Sequence, residues 1–203
     1  MNSSLATLNE QMQGCQSCDL FRERTKVVFG DGSESPLIMV IGEAPGEEED
    51  LSGKPFVGAA GKKLDSIFNY IGLSRSDIYI TNSVLCRPHK NRNPRQEELA
   101  ACKWRLNLQI DILKPKLIIV LGKIALQQLH GKPIKGPLSD YFPEKVTDDK
   151  TFPNGLIRYC SGKHDTQLLV TYHPSFHLRS PERAYKTTLP HWTLLKKWIE
   201  KNR

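Results

Sequence analysis

Four short apolar runs set the architecture: "LIMVI" at 37–41, "IYITN" at 78–82, "KLIIVLG" at 116–122 and "LLVTY" at 168–172. Each is β-rich and apolar at successive positions, so each needs cover on both faces, the condition of a strand inside a parallel sheet. Parallel strands need crossover connections, and the intervening sequence supplies helices. In "AAGKKLDSIFNYIGL", Leu64, Ile67, Phe68 and Ile71 fall at i, i+3, i+4 and i+7, and Gly72 offers a stop. The next helix is expected to be capped by Asn93, with Pro94 in its first turn and Gln96 closing a capping box. Leu99, Cys102, Leu106, Ile110 and Leu113 continue its inner face. A further helix covers about residues 123–130, and "PHWTLLKKWIEKN" turns Trp192, Leu195 and Ile199 inward. Residues 131–155, rich in polar residues, Pro and Gly, read as a long loop. The expectation is one α/β domain over 1–203, a three-layer α/β/α fold with a central, mostly parallel four-stranded sheet. Its sites belong in loops at the carboxyl ends of the strands.

Charge and cysteines narrow the function. Of 203 residues, 29 are Lys or Arg and 22 Asp or Glu, giving a formal charge of +7 that draws polyanions, nucleic acid first among them. The same excess also serves plain solubility. No apolar run approaches the roughly 18 residues of a membrane span, and "MNSSLATLNE" lacks a basic region leading into an apolar one. A soluble, unexported, cytoplasmic chain is therefore expected. Five cysteines are an odd count, which disfavours a disulfide framework. Cys15 and Cys18 form a C-x2-C pair on one turn. Cys86 follows a strand and Cys102 lies on the next helix, so this second pair can converge on the first. Four thiolates suit either a [4Fe–4S] cluster or Zn²⁺, and the spacing does not choose between them. Read alone, Cys102 is a small core residue. Cys160 is expected in the core, on a strand.

The strand ends carry the remaining chemistry. After the first strand, "GEAPGEEEDLSGKPFVGAAGKKLD" places Gly42, Ala44, Gly46, Gly58, Ala59, Ala60 and Gly61 where backbone N–H groups can approach a ligand. A helix beginning near Ala59 adds its positive end. A phosphate or planar base fits; the P-loop spacing is absent, which removes the main support for nucleotide triphosphate hydrolysis. Glu43 stands at the strand end, whereas Glu47, Glu48 and Glu49 read as a solvated acidic turn. Phe56 is either a core plug or a stacking platform. Asn82 ends the second strand with a donor and an acceptor side by side, suited to reading a base edge or to capping a turn. His173, followed by Pro174, ends the last strand, so a Glu, an Asn and a His each terminate a different strand.

"GEAPGEEED", "GKPFVG", "TNSVLCRP", the four cysteines and "HPSFHLR" resemble the iron–sulfur uracil-DNA glycosylases, the fourth family of that superfamily, from Cys15 to the carboxyl end. The resemblance implies a structural [4Fe–4S] cluster on Cys15, Cys18, Cys86 and Cys102, and uracil-containing DNA as the partner of a monomer, with no membrane involved. It implies excision of flipped-out uracil, leaving an abasic site that starts base excision repair. Phe56 then stacks on the base, Asn82 reads its Watson–Crick edge, His173 donates to O2, and Glu43 orients water or offsets charge on the sugar. Gly42 and Ala44 line the same pocket, and Glu49 lies near C5, where a thymine methyl would sit. Two features depart from relatives: Ala44 stands where the best-known glycosylases carry Asp, and His177 where others carry a wedging Leu. His177, Leu178 and Arg179 are thus the wedge candidates, and Lys62, Lys63, Arg87, Lys90, Arg92 and Arg179 the candidates for phosphate contact. A branch that traps its product covalently has an Arg-rich insertion that "CRPHKNRNP" lacks, so turnover is expected. A zinc-stapled binding module and an electron-transfer protein are the rivals; the first needs no Glu, Asn and His at strand ends, the second no basic surface.

Overall fold

The computed structural model describes residues 4–131, 133–143, 145, 156–161 and 164–202. In chain order the elements are α1 (Leu5–Gln13), β1 (Asp31–Gly32), β2 (Ile38–Gly42), α2 (Glu47–Ser52), α3 (Ala59–Ile71), β3 (Ile78–Asn82) and α4 (Gln96–Leu113). They continue with β4 (Leu117–Leu121), α5 (Lys123–His130), β5 (Ile157–Ser161), β6 (His164–Thr171), α6 (Ser175–Arg179) and α7 (Pro181–Asn202).

Among the described residues the sheet has six strands in the order β1-β3-β2-β4-β6-β5, not four. The four expected strands are its parallel centre, in register through Gly42 with Asn82 and Ile119 with both Val40 and Leu169. The two additional strands are antiparallel edges. They escape an apolar-run reading because β1 is two residues long and β5 is partly exposed along its length.

Alternation along the strands makes three layers. Met39, Ile41, Tyr79, Ile118, Val120 and Val170 face α1, α4 and α5. Ile38, Val40, Ile78, Ile80, Leu117, Ile119 and Leu169 face α3 and α7. Both faces are apolar and closed to solvent, so truncating a residue such as Ile119 to Ala would cost about 2–5 kcal/mol through lost transfer energy and the cavity left behind.

Several local expectations are corrected. Helix α4 starts at Gln96, with extended Arg95 as its cap; Glu98, not Gln96, closes the reciprocal bond by accepting from the Arg95 N–H at 2.7 Å. The acidic run at 47–49 opens a helix rather than a turn, because the Glu49 carboxylate accepts from the Gly46 N–H at 3.0 Å. Helix α1, which the apolar-run reading does not reveal, is capped by Ser4 and buries Leu5, Leu8 and Met12. Cys160 lies on a strand as expected, but it is exposed. Within the anticipated loop, Leu138–Tyr141 forms a 3-10 turn, while 146–155 lies outside the described residues. Among the described residues no helix is long and apolar enough to cross a membrane.

Candidate active site at the strand ends

The carboxyl ends of β2, β3, β4 and β6 open into one cleft of about 740 Å³, lined by Glu43, Ala44, Glu49, Phe56, Asn82, Gly122, His173 and Arg179 among others. The residues expected to act together are therefore gathered in one place. Asn82 is 1% exposed, and neither its Nδ2 nor its Oδ1 has a hydrogen-bond partner. Leaving a buried amide unsatisfied costs about 1–3 kcal/mol per group. A turn-capping role is thus excluded, since a cap would spend the side chain on backbone.

Phe56 sits beside that amide. A Cβ on Gly42 would collide with both the Asn82 Oδ1 and the Phe56 ring edge, so glycine at the end of β2 is what allows the three to meet. Phe56 has φ 54, a left-handed conformation that costs about 1–3 kcal/mol for a residue of this kind. Its surroundings impose it. Arg75, held by Asp65 through Nε to Oδ1 at 2.7 Å, donates to the Pro55 carbonyl at 3.0 Å and to the Phe56 carbonyl. Gly61 leaves room for that carbonyl, where any Cβ would overlap it. Glu49 Oε1 accepts from the Val57 and Gly58 N–H groups, both at 2.9 Å. Glu49 thus lines the cleft while its carboxylate ties the α2 cap to the Phe56 loop. Arg75 and Asp65 were not legible in the sequence, being separated from Phe56 in the chain and of a type that reads as surface charge.

His173 approaches Phe56 with ring centroids 5.6 Å apart. Its Nδ1 accepts from the Ser175 backbone N–H at 3.2 Å and contacts the Ser175 hydroxyl at 3.0 Å, which in turn accepts from Arg179 at 3.2 Å. An accepting Nδ1 puts the ring proton on Nε2. Burial, assisted by the Arg179 charge and opposed by Glu49, pushes the imidazole down to about 4, so at neutral pH it is an uncharged donor. Burial pushes the Glu43 carboxyl up, and Arg179 pulls it back.

The basic residues divide. Lys62 and Lys90 are exposed and Lys63 partly so, while the partly exposed Arg87 lies 3.5 Å from Glu47 at the surface and donates to Asn91 at 2.7 Å. Arg92 forms a fork with Glu98, Nη1 to Oε2 at 2.8 Å and Nη2 to Oε1 at 2.6 Å, so its charge is already matched. His177 corrects an expectation: it is 6% exposed and bonded to the Thr188 hydroxyl at 3.0 Å, so it points into the protein and cannot wedge outward. Leu178, 49% exposed, and Arg179 remain on the surface beside the cleft.

Behind β3, Cys15, Cys18, Cys86 and Cys102 line a single hollow with Met12, Val27, Leu85 and Trp104. Burial pushes the Cys86 thiol up to about 11, and Arg24 donates to its sulfur at 3.2 Å. Among the described residues no three His, Cys, Asp or Glu side chains converge closely enough to hold a single metal ion.

A family model described as the uracil DNA glycosylase superfamily matches residues 29–197. The chain is 46% identical over 130 residues to the type-4 uracil-DNA glycosylase of Saccharolobus solfataricus, covering 64% of this chain and 60% of that protein. It is 41% identical over 181 residues to the type-4 enzyme of Pyrobaculum aerophilum, covering 87% and 86% of the two chains. With that of Thermotoga maritima it shares 40% identity over 174 residues, covering 85% and 82%. The first of these alignments spans about three fifths of its relative's length.

Proposed function

The chain belongs to the uracil DNA glycosylase superfamily, and from that premise we propose that it hydrolyses the N-glycosidic bond of uracil in DNA, leaving an abasic site. The observation that carries this reading is the unpartnered, buried Asn82 amide at the floor of the cleft. Uracil presents an acceptor at O4 beside a donor at N3–H, and an amide answers both; cytosine presents the reverse order and would leave polar groups buried without partners. The target base has to leave the duplex stack to reach this depth. Phe56 offers it a stacking face, and the His173 Nε2–H is the donor for uracil O2.

Cleavage builds positive charge on the sugar and negative charge on the departing base. A fixed, neutral His173 donor stabilises the uracil anion more than the ground state, the condition for lowering the barrier. Glu43 offsets sugar charge or orients the attacking water, a task that falls to it because residue 44 is Ala. Leu178, exposed at the cleft rim, is the wedge, and Lys62, Lys63, Arg87, Lys90 and Arg179 meet phosphates.

Cys15, Cys18, Cys86 and Cys102 would hold a [4Fe–4S] cluster in this reading. Among the described residues, four cysteine sulfurs and no His, Asp or Glu line this hollow, a donor set that would suit iron–sulfur chemistry. The apolar lining and the Arg24 donor suit an anionic cluster. Its contribution is to bind α1's end, the loop after β3 and helix α4 together. Incubation with an oligonucleotide containing one uracil, followed by alkali, tests the activity. Strand cleavage at the uracil alone is expected, and an intact strand would refute the reading.

A further inference from the structure

Arg105 is the largest side chain sealed inside the protein, 0% exposed on helix α4. Burying a guanidinium costs several kcal/mol unless an opposite charge accompanies it. Among the described residues no carboxylate lies within ion-pair distance of it: the one buried glutamate on the same helix, Glu98, is taken by Arg92. The Arg105 Nε, buried and without a hydrogen-bond partner, belongs to a side chain that lines the cysteine hollow.

The two Nη groups are engaged with backbone and with α4. Nη2 donates to the carbonyls of Asn82 and Ser83, both at 3.0 Å, and Nη1 donates to Gln109 Oε1 at 2.6 Å. Gln109 passes the constraint on, donating to the Phe29 carbonyl and the Tyr79 hydroxyl, each at 3.1 Å. Gln128 holds the Ser83 carbonyl from a second side at 3.1 Å. One guanidinium therefore spans the gap between the cysteines and the backbone of the residue whose side chain reads the base.

We propose that Arg105 is a positioning residue that couples the cysteine-bound cluster to the base reader, serving as counter-charge to the thiolates while its fork fixes the Asn82 and Ser83 carbonyls. This rests on the cluster reading above. Thiolates bound to a cluster would supply the opposite charge that no carboxylate gives the guanidinium, and would thereby bear on how Asn82 is presented.

The test compares wild type with Arg105→Lys and Arg105→Met, all purified anaerobically. It measures iron per chain, uracil and unpaired-cytosine excision in single turnover, and amide-hydrogen exchange of the segment 78–86. Lys keeps the charge but cannot reach two carbonyls and Gln109 together. Lys at full iron should lose about 10²-fold in uracil rate, as expected for a misplaced reacting group, with a smaller uracil-to-cytosine ratio and faster exchange at residues 82–84. Met should do the same and also lose iron; if it fails to fold, Lys carries the test. A Lys variant with full iron, an unchanged ratio and unchanged exchange overturns the proposal. Absence of iron from the wild type instead overturns the cluster reading, a result the variants cannot produce.

Discussion

The two sides of Asn82 treat polar groups in opposite ways. Behind it, toward α4, the Asn82 and Ser83 carbonyls, both Arg105 Nη groups and the Gln109 amide are bonded to one another. In front, toward the cleft, the Asn82 amide has both its atoms buried and unspent. Carbonyls bonded from more than one side are held in place, and an unsatisfied group is costly. Their adjacency means that the costly group is held still by the rigid one. The same contrast divides two carboxylates that follow β2: Glu49 spends its oxygens on three backbone N–H groups, whereas Glu43 is left to the cleft.

The contrast is broken most severely at His173. In the proposed reading His173→Ala removes the donor to the leaving base, and it should slow single-turnover excision by about 10²–10³-fold with little change in DNA affinity, as for loss of one oxyanion donor. An unchanged rate would make the residue structural. The depressed pKa has its own signature. An unfolded His takes up a proton near its ordinary 6.5, whereas the folded one waits until about 4. The unfolded state thus binds more protons between those values, and stability falls as pH drops from about 6.5 toward 4, by at most about 1.4 kcal/mol per unit for one proton. Denaturant titrations should show this slope flattened in His173→Asn.

A smaller effect is expected at the Phe56 loop. Arg75→Ala frees the Pro55 and Phe56 carbonyls, so the left-handed backbone at Phe56 loses one of its restraints while Glu49 still holds the Val57 and Gly58 N–H groups. Excision should slow about tenfold through poorer stacking, while the uracil-to-cytosine ratio stays as in wild type because Asn82 is untouched. A collapsed ratio would mean that stack and edge reader are not separable. The smallest effect separates two basic residues. Lys90→Ala should lower the slope of log K against log salt by about 1. Arg92→Ala should leave the slope unchanged and cost stability instead, by stranding buried Glu98.

How much of this was legible follows from what each residue is bonded to. The four central strands are apolar on both faces and declare themselves, whereas β1 and β5 are short or half-exposed and carry no such run. That Glu43, Asn82 and His173 meet in one cleft was legible because each ends a strand. Glu49 looked like a solvated acid, since its three N–H partners come from turns that exist only in the fold. His177 was misread for a similar reason: its partner Thr188 is on α7. Arg105 and Gln109 left a signal, a polar pair at i and i+4 beside the apolar stripe of α4, at positions adjacent to Leu106 and Ile110. Two polar side chains there point to a buried network rather than to a solvated face.

The central claim is that Asn82 chooses the base, and Asn82→Asp tests it most directly. An ionised Asp only accepts: it repels uracil O4, yet it can take a hydrogen bond from cytosine N4, and when protonated it can also donate to N3. Single-turnover rates are measured on matched oligonucleotides carrying one uracil or one unpaired cytosine, with iron content checked to confirm a folded protein. The account predicts that uracil excision is mostly lost, by up to about 10⁴-fold, the scale on which an unmatched buried polar edge is rejected. The cytosine-to-uracil ratio should rise even while cytosine excision stays slow. A folded, iron-loaded variant that excises uracil at a near-normal rate would contradict it.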